Sequence, residues 1–297
     1  MGQRVHHLNC ISTCPLGGAL MDGRSGLALR GRLTCHCLLV ETASHLVLVD
    51  TGLGLRDVAD PRSRLSGFFL FLLSPELREE MTAIRQLERL GYDPRDVRHI
   101  VLTHLDFDHA GGLDDFPHAR VHLLQAERTH AAAQRTVLDR MRYRPQQWST
   151  QPNWRTYEYG RGERWNGFAA VRDLEGLPPE ILLVPLAGHT FGHAGVAIRR
   201  RDGWLLDAGD AYFHYAEMDP QPRCTPGLRF YQWMMEKDRH ERLGNQARLR
   251  TLAAEKAGEV RIFCSHDPLE FELLTGRPLH QPPSAARRPS SAATRAA

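Results

Sequence analysis

The chain has 297 residues, of which 42% are hydrophobic and 25% charged, with 16 histidines and a formal net charge of +3. That balance excludes a largely disordered chain, and the scattered Lys and Arg exclude an extended nucleic-acid face, which needs basic residues gathered on one side. The length suffices to bury a large core, as one big α/β domain or two ordinary ones.

In chain order, residues 1–7 carry no apolar stretch of signal-peptide length. The longest apolar run, residues 68–73, is far short of the roughly 20 residues a membrane helix needs. A cytoplasmic protein with no membrane and no nucleic-acid partner is expected. Residues 33–40 and 45–49 predict two strands joined by the polar turn 41–44, a hairpin. Cys35 and Cys37 fall on one face of the first strand and are expected to be buried free thiols. The apolar run 67–73 is expected either to line a substrate pocket or to meet a second copy in a homodimer. A helix is predicted over 75–90, with Ser74 as N-cap, Pro75 at its first position, Leu77, Met81, Ile84, Leu87 and Leu90 at helical spacing, and Gly91 at its end. Residues 97–102 predict a buried strand.

Segment 140–173 carries Trp148, Trp154, Tyr157, Tyr159, Trp165 and several arginines, a composition that suits either an inserted lid over the substrate or a packing excursion. Strands follow at 181–186, 195–198 and 204–206, then a helix at 237–256 and a strand at 260–264. The tail 281–297 is Pro, Ser, Ala and Arg without periodicity and is expected to be disordered, leaving one domain over 1–280.

The chemistry concentrates after the strand at 97–102. The run Thr103-His104-Leu105-Asp106-Phe107-Asp108-His109-Ala110-Gly111-Gly112 packs four candidate metal ligands into six residues, and its glycines allow close backbone approach. Imidazole and carboxylate together suit Zn²⁺, Fe or Mn²⁺. His189, Asp210 and His266 each follow a later apolar run, so the candidates collect at strand ends. His6, His7, His36, His45, His99, His118, His122, His130, His214 and His240 lie outside these motifs and are expected to be packed or solvated imidazoles.

Together with Leu48-Val49-Asp50-Thr51-Gly52, Ala187-Gly188-His189-Thr190-Phe191-Gly192-His193, Asp207-Ala208-Gly209-Asp210-Ala211 and Cys264-Ser265-His266-Asp267, the run resembles the metallo-β-lactamase superfamily of hydrolases over about residues 5–268. The pattern is most similar to its lactonase and glyoxalase II types. The resemblance implies an α/β fold, a four-layer αβ/βα sandwich of two mixed sheets flanked by helices. It implies that His104, the residue at 106 and His189 hold one metal, that Asp108, His109 and His266 hold a second, and that Asp210 bridges them. Asp50 and His193 are then expected to hydrogen-bond the ligand loops and fix imidazole tautomers.

One position departs from the pattern: Asp106 stands where most such hydrolases have His. An anionic ligand hardens the site, so one or two Zn²⁺ are expected with Fe or Mn as alternatives. The implied activity is cleavage of an ester, lactone or thioester of a small molecule by a metal-bound hydroxide, since a bound metal lowers the pKa of water to about 7 from roughly 15.7. Asp108 is expected to orient that hydroxide and carry its proton, and Tyr212, or its neighbour Tyr215, to donate to the oxyanion. The alternative is a non-heme iron oxidoreductase of the same fold, favoured by Asp106.

Overall fold

The computed structural model describes residues 2–158, 164–170 and 174–283. Two mixed sheets carry the fold. The first contains β1 (Arg4–Asn9), β2 (His36–Glu41), β3 (Leu46–Val49), β4 (Val97–Val101), β5 (Arg120–Leu124) and β6 (Trp154–Tyr157), in that order. After the small hairpin of β7 (Arg164–Trp165) and β8 (Phe168–Ala169), the second sheet orders β12 (Val260–Phe263), β11 (Gly203–Asp207), β10 (Ala194–Arg200) and β9 (Ile181–Pro185). The predicted hairpin is β2–β3, antiparallel with Leu38 opposite Val49, while β3 to β6 run parallel.

Period-two alternation sorts side chains into layers. Leu38, Val40, Val47 and Val49 of the first sheet meet Ile181, Leu183, Val196, Ile198 and Leu205 of the second in a core between the sheets. The intervening residues point outward: Cys37, Leu39 and Leu48 pack under the helix Ala83–Arg89, and Leu182, Val184 and Leu206 under the long helix Arg239–Glu255. Each such side chain contributes about 1.5–3 kcal/mol on burial. The layering is therefore helix, sheet, sheet, helix. Cys35 and Cys37 are buried and free as expected. No helix is long and apolar enough to cross a membrane among the described residues.

One expectation, the helix over 75–90 with Ser74 as its N-cap, needs correction. The run 67–73 is itself a helix, Gly67–Leu73, N-capped by Ser66, whose side chain accepts from Phe69 N. Ser74 is not an N-cap but the left-handed end of that helix, with φ 41°. Residues 75–90 break into an extended stretch, a 3-10 turn at Glu79–Met81 and the helix Ala83–Arg89, because Glu76 N bonds Ser12 O and Thr82 is extended. Segment 140–173 takes regular structure in its described parts. It completes the helix Val137–Arg142, adds β6 to the first sheet beside β5, and buries Trp165 against Trp204. Tyr159 lies outside the described residues, as do residues 284–297 of the tail.

Candidate metal centre

Every candidate ligand follows the carboxyl end of a strand: His104 to His109 after β4, His189 after β9, Asp210 after β11 and His266 after β12. The loops are tied to one another. Ala194 N bonds Thr103 O, Ser265 N bonds Gly209 O, and Thr34 N bonds His266 O. The loop after β4 turns into a single helical turn, Phe107–Ala110, and a 3-10 turn from Gly111. A Cβ at Gly111 would stand 2.3 Å from Asp57 Oδ2 and 2.7 Å from Gly52 O, so only glycine permits this approach to the β3 loop.

The side chains converge in two groups. His104, Asp106, His189 and Asp210 form one and Asp108, His109 and His266 the other, the candidate ligand atoms of each lying within 4.8 Å of one another. Asp210 joins them. Its Oδ1 lies 3.4 Å from His109 Nε2 and 3.2 Å from His266 Nε2, and its Oδ2 lies 3.3 Å from His189 Nε2 and 3.7 Å from His104 Nε2. Asp108 Oδ2 is 3.7 Å from His266 Nε2.

The far side of each ring is fixed. Asp50 Oδ2 pairs with His109 Nδ1 at 2.7 Å while its carboxylate accepts from Thr103 N and Oγ1, and Thr34 O accepts from His266 Nδ1 at 2.7 Å. Thr103 Oγ1 sits 2.9 Å from His104 Nδ1. These contacts turn Nε2 inward. Nε2 of His104 and His109 and Oδ1 of Asp210 are buried without a hydrogen-bond partner, an arrangement a cation relieves.

Asp210 is held from behind by His193, whose Nδ1 meets Leu186 O and whose Nε2 accepts from Asp210 N at 2.9 Å. Burial lowers the pKa of His193 to about 3, keeping the ring neutral as that acceptor role requires. Gly209 adopts φ 54°, and a Cβ there would press within 2.6 Å of His193 Nε2.

The charges divide sharply. Burial drives His104 well below the usual histidine range and lowers His189, leaving both neutral. His109 and His266 are also buried, but Asp210 overcomes the burial and raises both. Asp210 is held well below the usual carboxylate range despite burial, by His266, His109 and His189. Burial raises Asp108.

Sequence reasoning missed three residues here. Arg142, wholly buried at the end of the helix Val137–Arg142, donates from Nε to Asp106 Oδ1 at 2.7 Å and from Nη2 to Asp106 Oδ2 at 2.5 Å and His189 Nε2 at 2.8 Å. Asp106 is thus brought to the cluster, with both oxygens already paired by Arg142. The iron-redox alternative rested on Asp106 as a free anionic donor, and this ion pair removes that ground. Glu127 is the second. It accepts from Leu105 N, Thr190 Oγ1 and Gly192 N, joining the two ligand loops, and burial raises its pKa to about 7. The third, Tyr231, packs 5.7 Å from Phe213, whose ring stacks 5.0 Å from His266. Burial raises its phenol, and the charges of Asp108, Asp106 and Asp210 raise it further.

Tyr212 is not brought to the cluster. Its ring is buried with Leu206, Leu249 and Cys264, and its hydroxyl donates to Glu270 at 2.8 Å. Tyr215 is partly exposed and stacks on His214. No sequence pattern marked Arg142 or Tyr231, whereas the buried acid of Glu127 sits in the otherwise polar helix Gln125–Ala133.

Known proteins resemble this chain in sequence and in fold. A family profile described as the metallo-beta-lactamase superfamily matches residues 30–266. A probable metallo-hydrolase of Mycobacterium tuberculosis is 41% identical over 271 residues, covering 91% of this chain and 82% of that one. An N-acyl homoserine lactonase of Bacillus cereus is 36% identical over 95 residues, 32% of this chain and 38% of its own. Among solved structures, an N-acyl homoserine lactone hydrolase with N-hexanoyl-L-homoserine bound at its catalytic metal centre superposes at TM-score 0.69 with 22% identity, over 92% of this chain and 96% of that one. A dizinc quorum-quenching lactonase superposes at TM-score 0.58 with 17% identity, over 89% and 87%.

Proposed function

This chain belongs to the metallo-beta-lactamase superfamily and is a metal-dependent hydrolase; from that premise we propose that it opens the ester or lactone bond of a small molecule, with zinc at the cluster around Asp210. The observation that carries the reading is the placement of Asp210, with Oδ1 toward His109 and His266 and Oδ2 toward His104 and His189. A set of imidazoles and carboxylates suits Zn²⁺. When bound, the cation supplies Lewis-acid polarisation of a carbonyl and acidifies water toward neutrality.

The chain's own groups do the rest. Asp108, raised by burial and flanked by His266 at 3.7 Å, accepts the proton of the attacking water and returns it to the leaving oxygen. Tyr231, rather than Tyr212, is the phenol near enough to the site carboxylates to feel their charge and is our candidate donor to the developing oxyanion. The apolar cluster of Phe69, Phe107, Leu138, Met141 and Met235 contains Tyr231 and the residue between Asp106 and Asp108, which favours an acyl chain or ring in the substrate. The N-acyl homoserine lactones named for the lactonase relatives have this character.

The test is turnover of a lactone, a thioester and a phosphodiester before chelation, after it, and after readdition of Zn²⁺. Lactone hydrolysis lost to the chelator and restored by zinc is expected. Hydrolysis indifferent to the chelator, or confined to the phosphodiester, overturns the proposal.

A further inference from the structure

We propose that Arg142 stands in place of one of the two metal ions, so that the chain holds a single divalent cation on Asp108, His109, His266 and Asp210. The inference rests on the metal-dependent reading above and deepens it. Both oxygens of Asp106 receive the guanidinium in a fork, at 2.7 and 2.5 Å, and the same Nη2 lies 2.8 Å from His189 Nε2. His189 Nε2 also lies 3.1 Å from Asp106 Oδ2, so the guanidinium and its counter-ion together occupy the nitrogen that a metal would take. Two of the four donors in the first group are therefore engaged by a cation already built into the chain.

Arg142 is anchored against displacement. Its Nη1 donates to Met235 O at 2.6 Å, the last carbonyl of the helix Pro226–Met235, where the helix end favours positive charge. Its side chain has no solvent exposure. Rotating it outward would break the Asp106 fork, the His189 contact and the Met235 bond together, and would leave a carboxylate buried and unpaired. The second group has no such occupant. His109 Nε2 and Asp210 Oδ1 are buried without partners, as is His104 Nε2 in the first group, and His266 Nε2 lies 3.2 Å from Asp210 Oδ1 and 3.7 Å from Asp108 Oδ2, with no guanidinium among the described residues set against them as Arg142 is against Asp106.

Charge points the same way. Asp106, Asp108 and Asp210 bring three negative charges, which one guanidinium and one divalent cation balance. A second divalent ion would sit against the guanidinium in a buried site, where like charges repel strongly. The departure at position 106 thus has a partner: aspartate there is the counter-ion of Arg142, and neither residue serves the site without the other. Arg142 is a positioning residue, fixing Asp106 and His189 without reaching solvent.

The experiment is zinc stoichiometry of the full chain by elemental analysis and chelator competition, with electron paramagnetic resonance of the Mn²⁺-loaded protein. Wild type, Arg142→Met and Asp106→His/Arg142→Met are compared. We expect about one equivalent and the spectrum of an isolated ion for wild type, and about two equivalents with a spin-coupled pair for the double variant, which restores a His in the first group. Asp106→His alone is expected to stay near one equivalent, because the guanidinium remains. Two equivalents in wild type overturn the inference and leave the hydrolase reading standing. No bound metal in wild type overturns both. The wild-type measurement decides even if a variant fails to fold.

Discussion

Asp50 controls His109 through a hydrogen bond of 2.7 Å, and its other contacts, to Thr103 N and Oγ1, come from the ligand loop itself. All three partners donate, so the carboxylate is the one acidic side chain that satisfies them from a single position, held at φ 54° where non-glycine residues are uncommon. Asp50→Asn turns an NH2 toward at least one of these donors and frees the imidazole to flip its tautomer. The expected result is a loss of metal affinity of about 10–100-fold with the fold intact, read by chelator competition. Unchanged affinity would show that His109 is fixed by something else. At this scale the sequence was legible where chemistry was crowded, as in the run from His104 to His109. It was silent on Arg142 and Tyr231, because a single Arg or Tyr on a helix carries no mark of facing inward. Burial of an arginine depends on a carboxylate supplied 36 residues away.

The helix Gly67–Leu73 shows the limit of reading elements. Its sequence is apolar all round, so periodicity could not tell strand, helix or patch. Only packing decides: Phe69 and Leu73 face inward while Phe68 and Phe71 face out. The next stretch had the apolar spacing of a helix and Ser-Pro at its start, yet tertiary bonds such as Glu76 N to Ser12 O pull its first half straight. By contrast, the long helix Arg239–Glu255 was legible, since Asp238 caps it locally and accepts from Glu241 N. The inward face of Gly67–Leu73 matters to the site, because the Phe69 ring lies 5.0 Å from Phe107, which sits between Asp106 and Asp108. Phe69→Ala is expected to cost about 3–5 kcal/mol in urea unfolding and to lower metal occupancy as Phe107 shifts into the space. A stability loss with full occupancy would separate this helix from the metal centre.

On the scale of the whole molecule, the two-sheet core commits many titratable groups to burial, and these set how the fold responds to pH. His7 and His122 are lowered to about 3 and His99 to about 4, in each case chiefly by burial. Unfolded, each takes a proton near its ordinary value of 6.5. Folding therefore holds fewer protons than the unfolded chain below about pH 6.5, and stability present above that value is lost as pH falls toward the folded values. Glu127 and Glu270, raised by burial to about 7 and about 8, act in the opposite sense. Their contribution is present at low pH and lost as pH rises through those values. The two series overlap between about pH 4.5 and 6.5, so a single group is best resolved by removing it. His122 is suited to this, because it lies in β5 with Nε2 on His99 Nδ1 and Nδ1 on the Tyr157 hydroxyl. His122→Gln keeps a hydrogen-bonding side chain and deletes the proton site. The slope of unfolding free energy against pH, from urea titrations between about pH 6 and 4.5, is expected to flatten by up to about 1.4 kcal/mol per pH unit. An unaltered slope would mean that His122 takes up its proton within the folded chain, and that the acid limb belongs to the other buried histidines.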